Sequence, residues 1–218
     1  MTTREKSLAI LESAGFRVAS SLPTVRSEQP TTLRPLHEVA GRLCALAALF
    51  VWVVLPETDL PSSDFDTSVW DHLAGDETTI LTLPRSEAHL NHVNTIGWRL
   101  ENMWPLAWIL GFEPPPGIGG HIDPSIQDRL LRQFVGAPGI SVAVLLSRAT
   151  PRAVQAVDDM EDLFYCAHNS VRSAQTGRNT VPEGFHPIID GGAVHERRHS
   201  LTWALSPGVS WDDTDLST

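Results

Sequence analysis

The strongest constraint on how this chain folds is an unbroken apolar run, Leu43 to Leu55 (LCALAALFVWVVL), entered directly from Arg42. At thirteen residues it is too short to span a bilayer comfortably, so it reads as a buried core helix. Its last turns are apolar all round and have to be covered on every side, which predicts a central position. The helix starts near Pro35, where proline suits the first turn, and ends before Pro56.

The rest of the chain carries enough apolar surface to cover it. Hydrophobic residues are 42% of 218, sufficient for a real core, and 19% charge falls well short of a disordered composition. Residues Thr3 to Ala14 predict a short helix with Leu8, Ile10 and Leu11 inward, stopped by Gly15. A short helix over Thr67 to Leu73, anchored by Trp70, and a brief strand over Ile80 to Leu83 follow. Ser86 then caps a long helix to Gly111, with Val93, Gly97, Leu100, Trp104, Ala107 and Trp108 inward and a kink at Pro105. Residues 113–123, rich in proline and glycine, read as a linker. Helices are expected over Pro124 to Val135, Ile140 to Arg148, from a Thr150–Pro151 start to about Gln175, and over Ala193 to Leu205, before the acidic tail WDDTDLST. The expected fold is mainly α: a single domain over 1–218, an irregular array of about seven to eight helices with at most a minor β element.

The N-terminal stretch MTTREKSLAILESAGF has scattered charges and no apolar h-region, so no secretory signal is evident. Cys44 and Cys166 are the only cysteines, too few for a disulfide framework or a Cys-based zinc site. Both read as core thiols in a reducing compartment, which makes a soluble cytoplasmic protein, away from membranes, the expectation. A formal net charge of −10 disfavours nucleic acid, whose non-specific binding needs clustered cations, and fits a basic protein partner. Lys6 is the only lysine among the 16 cations, and it lies in the N-terminal stretch. Schiff-base, phosphate-loop and kinase-type lysine chemistry are thereby excluded.

The sharpest chemical pattern is His195-Glu196-Arg197-Arg198-His199, a literal H-E-x-x-H. Residues four apart share a helix face, so both imidazoles are spaced to hold one zinc ion while Glu196 activates its water. Two arginines between the ligands oppose a metal, and the third histidine of the extended pattern is replaced by Leu205. A third ligand would have to come from Asp212, Asp213 or Asp215. The structural alternative is that Arg197 and Arg198 pair with those carboxylates and clamp the C-terminus onto the last helix. Earlier, Asp158, Glu161, Asp162 and Tyr165 share a helix face, with Asp159 between and His168 a turn beyond. They read as a solvated face, or as a metal or acid–base cluster. Trp98, Trp104 and Trp108 read as core, or as a groove wall with Glu101 as a polar handle beside Trp98.

The C-terminal segment GAVHERRHSLTWAL followed by WDDTDLST resembles the end of the bacterial domain-of-unknown-function family 4272. There an Arg-rich helix with a tryptophan precedes a Trp-Asp-Asp…Asp close. Gly15-Phe16 with Leu22-Pro23, the Glu38-Val39…Arg42 element, and Trp98…Glu101 leading to LAWILGF are similar too, so the resemblance covers most of the chain. It accounts for Glu196, Arg197, Leu201 and Trp203 without needing either histidine, and it includes Trp211. It implies a mostly helical cytoplasmic protein of unassigned activity and supplies no catalytic residues.

Three functions from different classes are compatible with these residues. No complete catalytic set can be assembled, which favours a non-enzymatic interaction or regulatory domain binding a protein partner. The alternatives are a zinc hydrolase using His195, Glu196 and His199, and a small-molecule binding protein with a Trp-lined cavity.

Overall fold

The apolar run lies in the middle of the fold, as its composition requires. The computed structural model describes residues 2–24, 31–55, 65–135 and 141–217. Among them are nine α-helices and no strand: α1 (Thr3–Ser13), α2 (Leu36–Val53), α3 (Glu77–Thr82), α4 (Arg85–Ile96), α5 (Arg99–Ile109), α6 (Pro124–Leu130), α7 (Val142–Arg148), α8 (Val154–Gln175) and α9 (Ile189–Ala204). A 3-10 helix over Thr67–His72 and a π-helical turn over Leu131–Val135 complete the set.

Every residue of α2 from Val39 to Val51 is buried. On one side it is covered by the 3-10 helix, α3 and α4, and elsewhere by α5, α7 and the π-helical turn. From α5 outward the helices stack in series, α9 on α5, α8 on α9 and α1 on α8. The 3-10 helix approaches α2 so closely that only glycine fits at Gly41, where a Cβ would lie 2.1 Å from the His72 ring.

Arg42 is the one charged residue in this buried stretch, and it fixes α3. Its guanidinium donates to both carboxylate oxygens of Glu77 at 2.5 and 2.7 Å and to the His72 carbonyl at 3.1 Å. Glu77 also accepts from the Ala74 backbone N–H at 2.9 Å, so the pair is desolvated but satisfied on both carboxylate oxygens.

Several boundaries differ from expectation. The segment expected as a strand, Ile80 to Leu83, lies mostly in α3, because Glu77 anchors a helical turn that its four apolar residues do not specify. The long helix expected from Ser86 is two, interrupted at Gly97–Trp98, with Pro105 inside the second. The Trp98 ring seats against Gly192 of α9, where a Cβ would come within 3.2 Å of it. In α1 only Leu11 of the three expected inward residues is buried; Leu8 and Ile10 are 40% and 48% exposed. Thr150 does not cap α8, whose N-cap is Ala153. Instead Thr150 and Arg152 donate their backbone N–H groups to Leu110 and Ile109 and close the end of α5. α9 begins four residues earlier than the sequence suggested, at Ile189.

Glu77→Ala leaves the Arg42 charge buried without its carboxylate. It is expected to lower the unfolding free energy by about 3–5 kcal/mol, measured by urea denaturation. A loss comparable to that of a surface substitution would show that the pair does not hold α3.

Candidate functional site

α9 distributes its side chains over three neighbours, and this decides what H-E-x-x-H can do. Arg197, fully buried, points to α5 and the loop after it. It donates from Nε and Nη2 to Glu101 Oε2 at 2.8 and 2.7 Å, and from its two terminal nitrogens to the carbonyls of Gly117 and Gly120 at 2.6 and 2.9 Å. Glu101 accepts in addition from the Ile122 backbone N–H at 2.9 Å. The proline- and glycine-rich stretch expected to be a linker is therefore tied down at four backbone positions by one ion pair, Gly119 included at 3.4 Å.

Arg198 points the other way, to α8 and the tail. Nη1 donates to His168 Nδ1 at 2.6 Å and to the Leu216 carbonyl at 2.7 Å, and Nη2 donates to the Ser217 carbonyl at 3.2 Å. The expected clamp of Arg197 and Arg198 on the tail carboxylates is thus corrected. Of the two arginines only Arg198 reaches the tail, and it does so through main-chain carbonyls. Asp213 and Asp215 are exposed, accepting from Ser210 Oγ and from the Ser217 N–H. The tail's second anchor is Trp211, buried in a stack of alternating cations and rings. Arg34 lies over Trp203 at 4.1 Å, Trp203 meets Trp211 at 5.2 Å, and Arg42 lies over Trp211 at 4.1 Å.

The Arg198 contact also sets the histidine tautomers. An arginine can only donate, so Nδ1 of His168 must accept and its proton sits on Nε2. That Nε2–H faces His195 Nδ1 at 3.4 Å, making Nδ1 the acceptor and leaving the His195 proton on Nε2. His199 Nε2 donates to the Trp211 carbonyl at 2.9 Å, with its ring edge-on to that indole at 4.3 Å. Zinc needs the lone-pair nitrogen of a neutral imidazole. In His195 that nitrogen faces His168; in His199 it is Nδ1, since the Nε2 proton is held by the Trp211 carbonyl. Among the described residues no group of three or more His, Cys, Asp or Glu side chains is placed to hold a metal ion.

Burial holds these rings neutral. His168 is pushed down to about 3, by burial first and by the Arg198 charge second. His199 is pushed down to about 4 by burial, partly offset by the Trp211 carbonyl, and His195 is lowered by burial as well. The two thiols, Cys44 and Cys166, are buried and pushed up to about 12, which makes both unreactive.

Two clefts flank the start of α5. One, of about 370 Å³, brings His195, Glu196 and His199 together with Arg99, Trp211 and Asp212. The other, of about 450 Å³, places Trp98 beside Glu101, as the sequence suggested, with His121, Phe50, Val93 and Gln127. Trp104 and Trp108 are 6% and 4% exposed and belong to the core; Trp104 donates from its ring nitrogen to the Pro114 carbonyl at 3.0 Å. The acidic group on α8 is a set of fasteners rather than a solvated face. Asp158 accepts from Thr31, Asp159 from Thr3 and Lys6, and Glu161 from Thr202, while Asp162 pairs with Arg4 at 2.9 Å.

Residues 3–214 match the family described as domain of unknown function (DUF4272), and the chain belongs to that family. Neither the curated proteins nor the solved structures contain a match to it.

Sequence reasoning did not single out Arg34, Glu77 or Arg99, and it weighed Arg42 only as the flank of the apolar run and as part of the family-like Glu38-Val39…Arg42 element. The signal available was an arginine on the buried face of an otherwise apolar helix, which demands a carboxylate partner from elsewhere in the chain.

Deleting the residues after Ser210 is expected to lower the unfolding free energy by about 3–5 kcal/mol, the range for losing a buried tryptophan. Asp212→Asn/Asp213→Asn/Asp215→Asn together should change it by less than about 1 kcal/mol, because Arg198 reads carbonyls. Equal losses in both variants would restore the carboxylate clamp. The buried histidines add a pH dependence. The unfolded chain protonates them below their ordinary 6.5, whereas the folded chain keeps His199 and His168 neutral to about 4 and about 3. Stability should therefore fall as pH drops from 6.5 toward 4, with a shallower slope in His168→Gln. A stability flat across that window would contradict the assigned burial.

Proposed function

We propose that the chain is a non-enzymatic interaction domain whose acidic exterior meets a basic protein partner in a reducing cytoplasm. The observation that carries this reading is the placement of charge. Arg34, Arg42, Arg197 and Arg198 are buried, where they act as internal ties. Carboxylates such as Glu12, Asp71, Asp76, Glu87, Asp128 and Glu183 are exposed. Among the described residues the four buried arginines are matched by four buried carboxylates, Glu77, Glu101, Glu113 and Glu161, so the net −10 of the chain falls on its solvent-facing groups. Such a field steers cationic partners and repels phosphate backbones. The His195 Nδ1 and His199 Nε2 atoms that a hydrolase would recruit from α9 are already engaged by His168 and by the Trp211 carbonyl, which speaks for binding over catalysis.

A small-molecule reading is favoured by one observation, the cleft beside Trp98 and Glu101. It rests on Trp98 alone of the three tryptophans considered, since Trp104 and Trp108 are core.

Fluorescence anisotropy with a labelled Lys/Arg-rich peptide and a labelled Glu-rich control tests the main reading. The basic peptide is expected to bind and to weaken strongly between about 0.05 and 0.5 M salt, as screening shortens the reach of surface charge. Absence of binding to the basic peptide, or equal binding of both, would sink it.

A further inference from the structure

The cleft between the first turn of α5 and the tail contains charges that the fold leaves without strong partners. Arg34, Arg42, Arg197 and Arg198 each make at least one bond of 2.7 Å or shorter. Arg99 does not. Its nearest acceptors are Asn102 Oδ1 at 3.3 Å and Glu196 Oε2 at 3.6 Å, both on Nη1; its buried Nε–H is without an acceptor, as are those of Arg42 and Arg198, so it is the weakness of the terminal contacts that sets Arg99 apart. On the tail side, Asp212 directly follows the anchored Trp211, is exposed, and has neither a hydrogen bond nor an ion pair among the described residues. Both side chains line the same cleft of about 370 Å³, together with Glu196 and His195.

We propose that this cleft binds a small zwitterion of the free α-amino acid class, its carboxylate on Arg99 and its ammonium group at Asp212 and Glu196. A carboxylate gives the Arg99 fork the bidentate partner that it lacks. His195 supplies a neutral donor beside it, because the Arg198–His168 contact fixes its proton on Nε2. Glu196 and Asp212 disfavour a multiply charged anion such as phosphate, and Arg99 disfavours a simple cation. A ligand carrying one charge of each sign matches both. The volume lies at the small end of ligand pockets, which suits a molecule of that size. Arg99 is set by the first residue of α5, and Asp212 by the cation–ring stack that holds its neighbour, so two separate elements present the two charges. The site is independent of the acidic exterior, and its test is independent of peptide binding.

The experiment is isothermal titration calorimetry and thermal shift on the full chain. The probes are the free L-amino acids, their N-acetyl forms and their amides, each at up to about 10 mM. At least one free amino acid is expected to bind, and removing either of its charges should weaken it by about tenfold or more, the loss of one charge-assisted pair. In Arg99→Gln the preference for the free acid over the amide should disappear. In Asp212→Asn the preference for the free amine over the acetyl form should disappear. Unchanged circular dichroism confirms that both variants fold. No binding by any free amino acid overturns the proposal, as does equal binding of capped and free forms. Acetyl forms that bind as well as free acids while amides fail would assign the cleft to a lone carboxylate, such as a peptide C-terminus, and would overturn the zwitterion.

Discussion

A guanidinium cannot shed its charge inside a protein, so every arginine that this fold buries dictates what must surround it. Arg42 requires Glu77 and thereby places α3 against α2. Arg197 requires Glu101, and the carbonyls of Gly117 and Gly120 fill the rest of its fork, which brings the proline-rich loop onto α9. Arg34 and Arg42 then sandwich the Trp203–Trp211 pair, joining the chain ahead of α2, α2 itself, α9 and the tail in one stack. Hydrophobic burial supplies the driving force, as it does in any helical array. The arginines exclude alternatives, because any packing that separates one from its acceptors strands a charge in the core.

The parts of the fold legible in the sequence were those that depend on apolar patterning. The core helix Leu36–Val53 followed from a run that nothing but burial can accommodate, and the helical class followed from the periodicity of the rest. Patterning failed where a polar contact decides the local structure. Residues Ile80 to Leu83 carry no helical signal, yet they continue a helix whose start is fixed by Glu77 binding Arg42 thirty-five positions earlier. The break between α4 and α5 falls at Gly97 and not at Pro105. Its cause is the seating of Trp98 on Gly192, a contact between residues far apart in the chain.

The site shows the same division. The sequence correctly put His195 and His199 on one helix face and grouped them with Asp212, and the structure brings all three to one cleft. What the spacing of H-E-x-x-H does not contain is the state of the imidazole nitrogens. That state is set by Arg198 acting through His168, a residue on another helix, and by the Trp211 carbonyl. The arginines inside the motif proved to be its organising members. Arg197 and Arg198 are the buried residues of the five, while the histidines stand at the margin.

Arg198 holds the tail through the carbonyls of Leu216 and Ser217, groups that every amino acid possesses. The latch therefore measures distance along the chain first, with Asp215 the one side chain beyond Trp211 that adds its charge beside Arg198. Composition at the other positions from 212 to 217 is free to drift under other pressures, including that of whatever the adjoining cleft accommodates. A single inserted or deleted residue between Trp211 and Leu216 would instead throw the carbonyls out of step with the guanidinium. The tail behaves as a ruler: its spacing belongs to the fold, and its other side chains are left to function.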